Sequence, residues 1–487
     1  MKAIEGLAPA NLWNRFYEIS QIPRPSKHEE RVRLYLRNFA GQNNLSFKED
    51  SVGNIVISIP PKPGFEKTPV VVLQSHIDMV CEKNKNTIHD FNNDPIKLVR
   101  DDEWIKAEGT TLGADNGIGA AAALAIANDD GFNHGEIELL FTVDEETGLT
   151  GANNLEPQFI TGKYLLNLDS EEDGIFYVGC AGGMDTVGTL KIDYEQVDNA
   201  WSPYTIFISG LKGGHSGINI GDKRANAIKL LGFLLNKLKV VDYYIGAISG
   251  GSKRNAIARE AEAIIYIKNE YEAVLREYIN AFSLESVLEY RASDGDIKIS
   301  FEKSDTDTSS KVFTREFADK VINLIIGLPH GVISMSMEIA GLVETSTNLA
   351  TVVMENDQIK IGTSQRSSIE SAKRNIAASV KSVFDLADAN VVVGDGYPGW
   401  QPNLGSRLLK LSSKVHKEIF GKEPELKAIH AGLECGILGD KYPGLEMVSF
   451  GPTIVGAHSP DEKVHIHDVE KFYRLLKAIL VEISKMK

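Results

Sequence analysis

Val70-Val71-Val72-Leu73-Gln74-Ser75-His76-Ile77-Asp78 is an apolar strand that ends in two polar side chains able to serve a metal ion. The same construction recurs downstream. Ile137 to Val143 runs into Asp144-Glu145-Glu146, Tyr164 to Leu168 runs into Asp169, and Leu445 to Phe450 runs into a loop carrying His458. Between the first two runs, Gly113-Ala114-Asp115-Asn116-Gly117 leads into an Ala-rich helix. In open α/β sheets, ligands bind at the carboxyl ends of strands. Two histidines and three carboxylates gathered there suit a pair of hydrolytic divalent metal ions.

Working outward, apolar strands alternate with helical stretches from Pro69 to Val178, which implies a mostly parallel sheet covered on both faces. Ile118 to Ala127 is uncharged and reads as a buried helix. Upstream, residues 10 to 60 read as two helices and two strands, with Ser26-Lys27-His28-Glu29 as a capping box for the second helix. Past Gly183 the texture changes. Thr189 to Tyr194 alternates strictly, as a half-exposed strand does. From there to Val393 the elements read as two tandem α+β modules, closed by the turn-rich joint Gly394-Asp395-Gly396-Tyr397-Pro398-Gly399-Trp400. Helix Ser406 to Phe420, strand Leu445 to Phe450 and helix Phe472 to Lys485 return to the first texture. The expected architecture is a metal-bearing α/β domain, residues 1–186 and 397–487, interrupted by an inserted α+β lid domain, residues 187–396.

A chain of 487 residues exceeds one compact core, and 43% hydrophobic with 24% charged residues is ordinary for a globular protein. The net charge of −15 weighs against nucleic acid and anionic membrane as partners. The first twenty residues lack the apolar core of a signal peptide, and no run approaches the roughly 20 apolar residues of a membrane span. Cys81, Cys180 and Cys435 are scattered and odd in number, which fits neither a disulfide framework nor a cysteine zinc site. The chain reads as reduced, soluble and cytoplasmic.

Any one polar residue at a strand end is weak testimony; the joint pattern is strong. His76 and Asp78 share a strand face because side chains alternate with period two. A ligating histidine commonly gives its other ring nitrogen to a carboxylate, and Asp78 is placed for that. Glu145 and Glu146 point to opposite sides of an extended segment, so one can bind metal while the other faces a substrate.

His76-x-Asp78, Gly-Ala-Asp115-Asn-Gly, Asp-Glu145-Glu146-Thr-Gly, Asn-Leu-Asp169 and Gly-Ala-His458-Ser-Pro resemble the metal motifs of the co-catalytic di-zinc peptidases. That group includes aminoacylases, glutamate-type carboxypeptidases, carnosinases and peptidase T. The resemblance spans essentially the whole chain, and within the group it is to the dipeptidases of Xaa-His substrates, β-alanyl-histidine included. It implies that Asp115 bridges two Zn2+ ions (Co2+ or Mn2+ as substitutes), with His76 and Asp169 completing one site and Glu146 and His458 the other. It further implies that Asp78 orients His76, that Glu145 is the general base, that the Asp115–Asn116 peptide is cis, and that the protein is a homodimer acting on small peptides.

Three groups of the second domain and its surroundings gain meaning from the resemblance alone. His215, in Gly213-Gly214-His215-Ser216-Gly217, reads otherwise as an incidental residue of a glycine turn; the resemblance implies that it holds the tetrahedral intermediate. Arg366 reads otherwise as a surface arginine and is implied to anchor the substrate's terminal carboxylate, for which a guanidinium is suited. Asn255 and Gly432 are implied to line the substrate, although Ala258 stands where many relatives have proline. His465 and His467 fit the lead-in to the last helix, and His89, His134, His330 and His416 lack companions at ligand spacing. Glu171-Glu172-Asp173 reads as a solvated acidic turn. Two alternatives share these motifs: a tripeptidase or N-acyl-amino-acid deacylase of the same group, and a metal- or peptide-binding protein without turnover. Retention of Glu145 beside five ligands weighs against the last.

Overall fold

The four apolar runs become neighbours. In a computed structural model, which describes residues 2–304 and 311–486, strands Ile137–Thr142, Val71–His76, Tyr164–Asn167 and Glu446–Ser449 lie side by side and parallel. Strands Ser46–Glu49 and Ile55–Ile59 extend the sheet antiparallel on one side, and Ile175–Cys180 and Glu425–Ile429 extend it on the other. Every residue of Val71–His76, Ile137–Thr142 and Tyr164–Asn167 is buried, as expected of a parallel sheet covered on both faces. On one face Val56, Val72, Leu140, Leu165 and Met447 pack with Leu155, Phe159, Ile160 and Leu438. Helix Ala114–Ala127 packs against strand Val71–His76 and helix Ala10–Ser20, and its residues 120 to 125 are almost wholly enclosed.

Two local expectations differ from the structure. Helix Ala114–Ala127 begins four residues before the expected Ile118, with non-helical torsions at Asp115 and Asn116 and a cis Asp115–Asn116 peptide. The capping box does not form. Helix Glu30–Gln42 has no side-chain cap, and the Ser26 hydroxyl instead donates to Asp78 Oδ2 at 2.8 Å. Glu29 accepts from the Lys27 and Asp144 backbone N–H groups rather than closing a box.

The chain divides into two compact units: Met1–Gly179 with Trp400–Ala428 and Leu433–Lys487, and Cys180–Gly399 with Ile429–Gly432. The second unit contains a nine-stranded antiparallel sheet. The two sets of elements read as tandem modules are interleaved in it. Strand Gly182–Lys191, from the first set, pairs with Gln358–Ser367 of the second, and the halves of the sheet meet at the single pair Gly250↔Val352. Helices Ala227–Lys237, Arg315–Gly327 and Glu370–Leu386 bury their apolar faces in the core of this unit. Among the described residues, no helix is long and apolar enough to cross a membrane.

The enclosure of helix Ala114–Ala127 leaves no room for larger side chains. Ala122→Leu is expected to destabilise the protein by about 1–3 kcal/mol through overpacking, read from denaturant unfolding; an unaltered midpoint would contradict the close packing.

Candidate metal centre

All five residues expected to hold metal come together in the first unit, at the carboxyl ends of the four parallel strands and the start of the buried helix. They form two groups of three, His76–Asp115–Asp169 and Asp115–Glu146–His458, that share Asp115. Each imidazole addresses a different oxygen of the shared carboxylate: His76 Nε2 lies 3.0 Å from Oδ1 and His458 Nε2 lies 3.2 Å from Oδ2. His76 Nε2 is also 3.3 Å from Asp169 Oδ1, and His458 Nε2 is 3.0 Å from Glu146 Oε2. The His76 side chain is 1% exposed and that of His458 54%, so one group forms the floor and the other the mouth.

Carboxylates outside these two groups build the frame. Asp78 Oδ1 stands 3.3 Å from His76 Nδ1, turning Nε2 toward Asp115 and Asp169. The same carboxylate accepts the backbone N–H groups of Glu145 and Glu146 at 3.0 and 3.2 Å, tying the two adjacent glutamates to the histidine. Asp144, at φ 50°, accepts hydrogen bonds from the hydroxyls of Thr147 and Thr150, which closes the Asp144-Glu145-Glu146-Thr147-Gly148 turn. Glu462 accepts four successive backbone N–H groups, from Leu112 (2.7 Å), Gly113 (2.9 Å), Ala114 (2.7 Å) and Asp115 (3.3 Å). It thereby fastens the His458 loop to the turn that presents Asp115. Buried Arg24 donates to the carbonyls of Ile77, Asp78 and Gly113 from the other side.

A buried polar chain links the strand ends. Asn167 donates to Gln74, and Gln74 and Thr142 donate to Glu434 Oε2 at 2.6 and 2.8 Å. None of Glu462, Asp144, Arg24 and Glu434 stands out as functional in the sequence. For Glu462 a signal existed: it follows His458 by four residues in one short loop.

The electrostatics identify what the cluster lacks. Burial disfavours a charged His76, yet Asp169 and the hydrogen-bonding carboxylates of Asp115, Asp169 and Asp78 push its pKa well above the usual imidazole range. Hydrogen bonds to Asp115 and Glu146 push His458 up to about 11. Burial raises Asp169 to about 6, with the charge of Asp115 adding to it. Burial also drives Glu145 well above the carboxylate range, with Asp169, Glu434 and Glu146 reinforcing it against the pull of His76. Protons are being recruited to neutralise an excess of negative charge, the role a divalent cation would fill. Glu146 Oε1 is buried without a hydrogen-bond partner, as a free ligand atom would be. Two imidazoles with carboxylates form a donor set that fits Zn2+.

The acidic turn is not merely solvated. Burial pushes Glu171 up to about 8, with the charges of Asp115 and Asp169 adding to it. Glu172 accepts from Tyr177 and Lys427, and Asp173 pairs with Lys471. His465 Nδ1 lies 2.9 Å from Asp468, and His467 is exposed.

The remaining predicted residues lie in the second unit and cluster there. His215 Nδ1 accepts from the backbone N–H groups of Gly217 and Ile218, both at 3.2 Å, which leaves the ring's hydrogen on Nε2. Asn255 is adjacent, its carbonyl accepting from Ser216 N–H at 2.8 Å. Arg366 is 6% exposed, its Nη1 donates to Tyr397 Oη at 2.8 Å, and its Nε is buried without a partner. Among the described residues, no carboxylate pairs with it. Its charge, after burial, lowers the pKa of both His215 and His430. Gly432, placed in the first domain on sequence grounds, clusters with the second unit against the Tyr397 ring. Neighbouring His430 explains this, with Nε2 2.7 Å from Ser346 Oγ.

Residues 72–482 match peptidase family M20/M25/M40. The chain is 40% identical over 484 residues to the cytosol non-specific dipeptidase of Escherichia coli (strain K12), covering 99% of both chains. It superposes with a TM-score of 0.92 on the crystal structure of aminoacylhistidine dipeptidase from Vibrio alginolyticus, at 41% identity, covering 98% of this chain and 97% of that one. The fold extends to aminopeptidase PepT from Bacillus cereus ATCC 10987, with a TM-score of 0.58 at 19% identity over 98% of this chain and all of the other.

Two outcomes follow from the charge balance and the frame. Because His76 and His458 hold protons at neutral pH and must be neutral to coordinate, loading with Zn2+ at pH 7 is expected to release about two protons per chain. By the same sign, affinity weakens as pH falls. A pH-stat titration reads this, and no release would contradict the charge balance. Glu462→Gln removes an acceptor oxygen from the Asp115 turn and is expected to weaken binding of at least one ion by roughly tenfold or more. Metal analysis after dialysis checks it.

Proposed function

The chain belongs to peptidase family M20/M25/M40, and on that premise we propose that it is a di-zinc dipeptidase cleaving short peptides with a free C-terminus, Xaa-His dipeptides and β-alanyl-histidine included. That the protein is a metal-dependent peptide-bond hydrolase of the dipeptidase type follows from its full-length likeness to two dipeptidases. The observation that supports the assignment of residues is the sharing of Asp115 by two ligand groups, with Glu145 beside them.

In this reading His76, Asp115 and Asp169 would hold one Zn2+ ion, and Asp115, Glu146 and His458 the second, with Co2+ or Mn2+ as substitutes. Such a pair would supply Lewis acidity at the scissile carbonyl and bring the pKa of a water toward about 7. Glu145 takes the proton of that water as it attacks and delivers it to the leaving amine. Asp78 keeps His76 and the Glu145-Glu146 backbone in register during the transfer. His215, with its hydrogen on Nε2, donates to the developing oxyanion. Arg366 binds the terminal carboxylate, and Asn255 and Gly432 line the substrate. An anchor for that carboxylate favours short peptides over proteins. The protein acts in the cytoplasm as a homodimer on small peptides, with neither nucleic acid nor membrane as partner. The name of the Escherichia coli relative and the net charge of −15 support that placement.

Glu145→Ala is expected to retain both ions while turnover falls by roughly 10³-fold. Metal analysis beside a hydrolysis panel of β-alanyl-histidine, other Xaa-His dipeptides, tripeptides and N-acetylated amino acids checks it. Near-normal turnover in the variant removes Glu145 from the role, and preference for tripeptides or acetylated substrates overturns the dipeptidase assignment.

A further inference from the structure

We propose that the Tyr397 hydroxyl is a second donor to the substrate's terminal carboxylate, acting beside Arg366; this rests on the reading of Arg366 as the anchor. Tyr397 lies in Gly394–Trp400, whose glycines and proline read as a mere joint. The structure gives it more to do.

Arg366 Nη1 donates to Tyr397 Oη at 2.8 Å. A guanidinium has only donors, so the phenol accepts there, and its single hydrogen must point elsewhere. Cys180 and then Asp185 bear on the phenol electrostatically, and Asp185 is paired with Arg254 at 3.1 Å. Arg366 itself is a buried cation with a bare Nε and no carboxylate partner. A buried charge without a counter-ion is unfavourable unless a ligand completes it. The guanidinium and the phenol are thus two adjacent donors, one charged and one neutral. A carboxylate has two oxygens with several lone-pair sites, enough for both donors at once. Burial keeps the phenol protonated at neutral pH, so it remains a donor.

The ring is fixed before any ligand arrives. The Tyr397 backbone exchanges two hydrogen bonds with Gly183, and Lys373 Nζ donates to the Tyr397 carbonyl at 2.7 Å. Two glycines make room for the phenol: a Cβ on Gly183 would lie 2.6 Å from Cε1, Cζ and Oη, and one on Gly432 would lie 2.8 Å from Cε2. The hydroxyl is therefore held where it is rather than free to follow a substrate, which lowers the entropy lost on binding. On this account Gly432 serves the carboxylate by leaving space for the ring.

Tyr397→Phe keeps the ring and removes the donor. The measurement compares kcat/KM for β-alanyl-histidine and for its C-terminal amide, with thermal unfolding and metal content as checks on the fold. The preference for the free acid over the amide is expected to fall about tenfold in Tyr397→Phe, through KM for the acid. Arg366→Ala is expected to abolish it. A wild-type preference in Tyr397→Phe overturns the proposal while leaving the anchor standing, provided Arg366→Ala loses it. Retention in both sinks the anchor reading as well. Should Tyr397→Phe fail to fold, Gly432→Ala carries the test, because its methyl displaces the ring. The preference must then fall, and its persistence overturns the proposal.

Discussion

Too much negative charge in too small a space governs the first unit. Asp115, Asp169, Glu146 and Glu145 converge with only the imidazoles of His76 and His458 to offset them. A parallel sheet makes the convergence possible, because four strands end on the same side and each can deliver one side chain to a common point. Left alone, such charges would repel and draw in water. Protons on the imidazoles and on Asp169 relieve part of the excess. Divalent cations relieve it more completely, since two ions bring four positive charges to the same volume.

The acids around this point fall into two kinds, separated by what occupies their lone pairs. Asp78, Asp144 and Glu462 are satisfied by the protein: backbone N–H groups, threonine hydroxyls and Ser26 take up their oxygens. Glu146 instead keeps a buried oxygen bare. A saturated carboxylate holds structure, and a bare one is available to a cation. Glu434 stands between the kinds, with one oxygen clamped by Gln74 and Thr142 and the other unpartnered. Through Gln74 and Asn167 that clamp reaches three strands whose ends carry ligands, so the inner cluster inherits the rigidity of the sheet beneath it.

What the sequence disclosed follows this division. The strands were legible because burial on both faces favours apolar runs, and the clustered side chains because three of those runs stop at ionisable residues. The saturated acids were harder to see. Glu462 acts on a turn almost 350 positions earlier, and its nearness to His458 marks the loop without naming that partner. Ser26 satisfied a local pattern, a capping box, yet a distant carboxylate took its hydroxyl. In the second unit the tandem-module reading followed chain order, whereas antiparallel pairing joined Gly182–Lys191 to a strand about 175 positions later. Glu171 looked solvated because its neighbours Glu172 and Asp173 are charged, but burial is a property of the fold and not of the triplet.

The second unit carries the opposite imbalance. Among the described residues Arg366 is enclosed without an acid, and burial, then its charge, holds His215 and His430 toward their neutral forms. Neutrality matters for His215: with Nδ1 occupied by two backbone N–H groups, the ring presents a hydrogen on Nε2 and no competing positive charge. A free peptide carboxylate is the small, common anion that completes such a group, and a peptide carbonyl is what a pair of Lewis-acidic cations activates. One short peptide carries both.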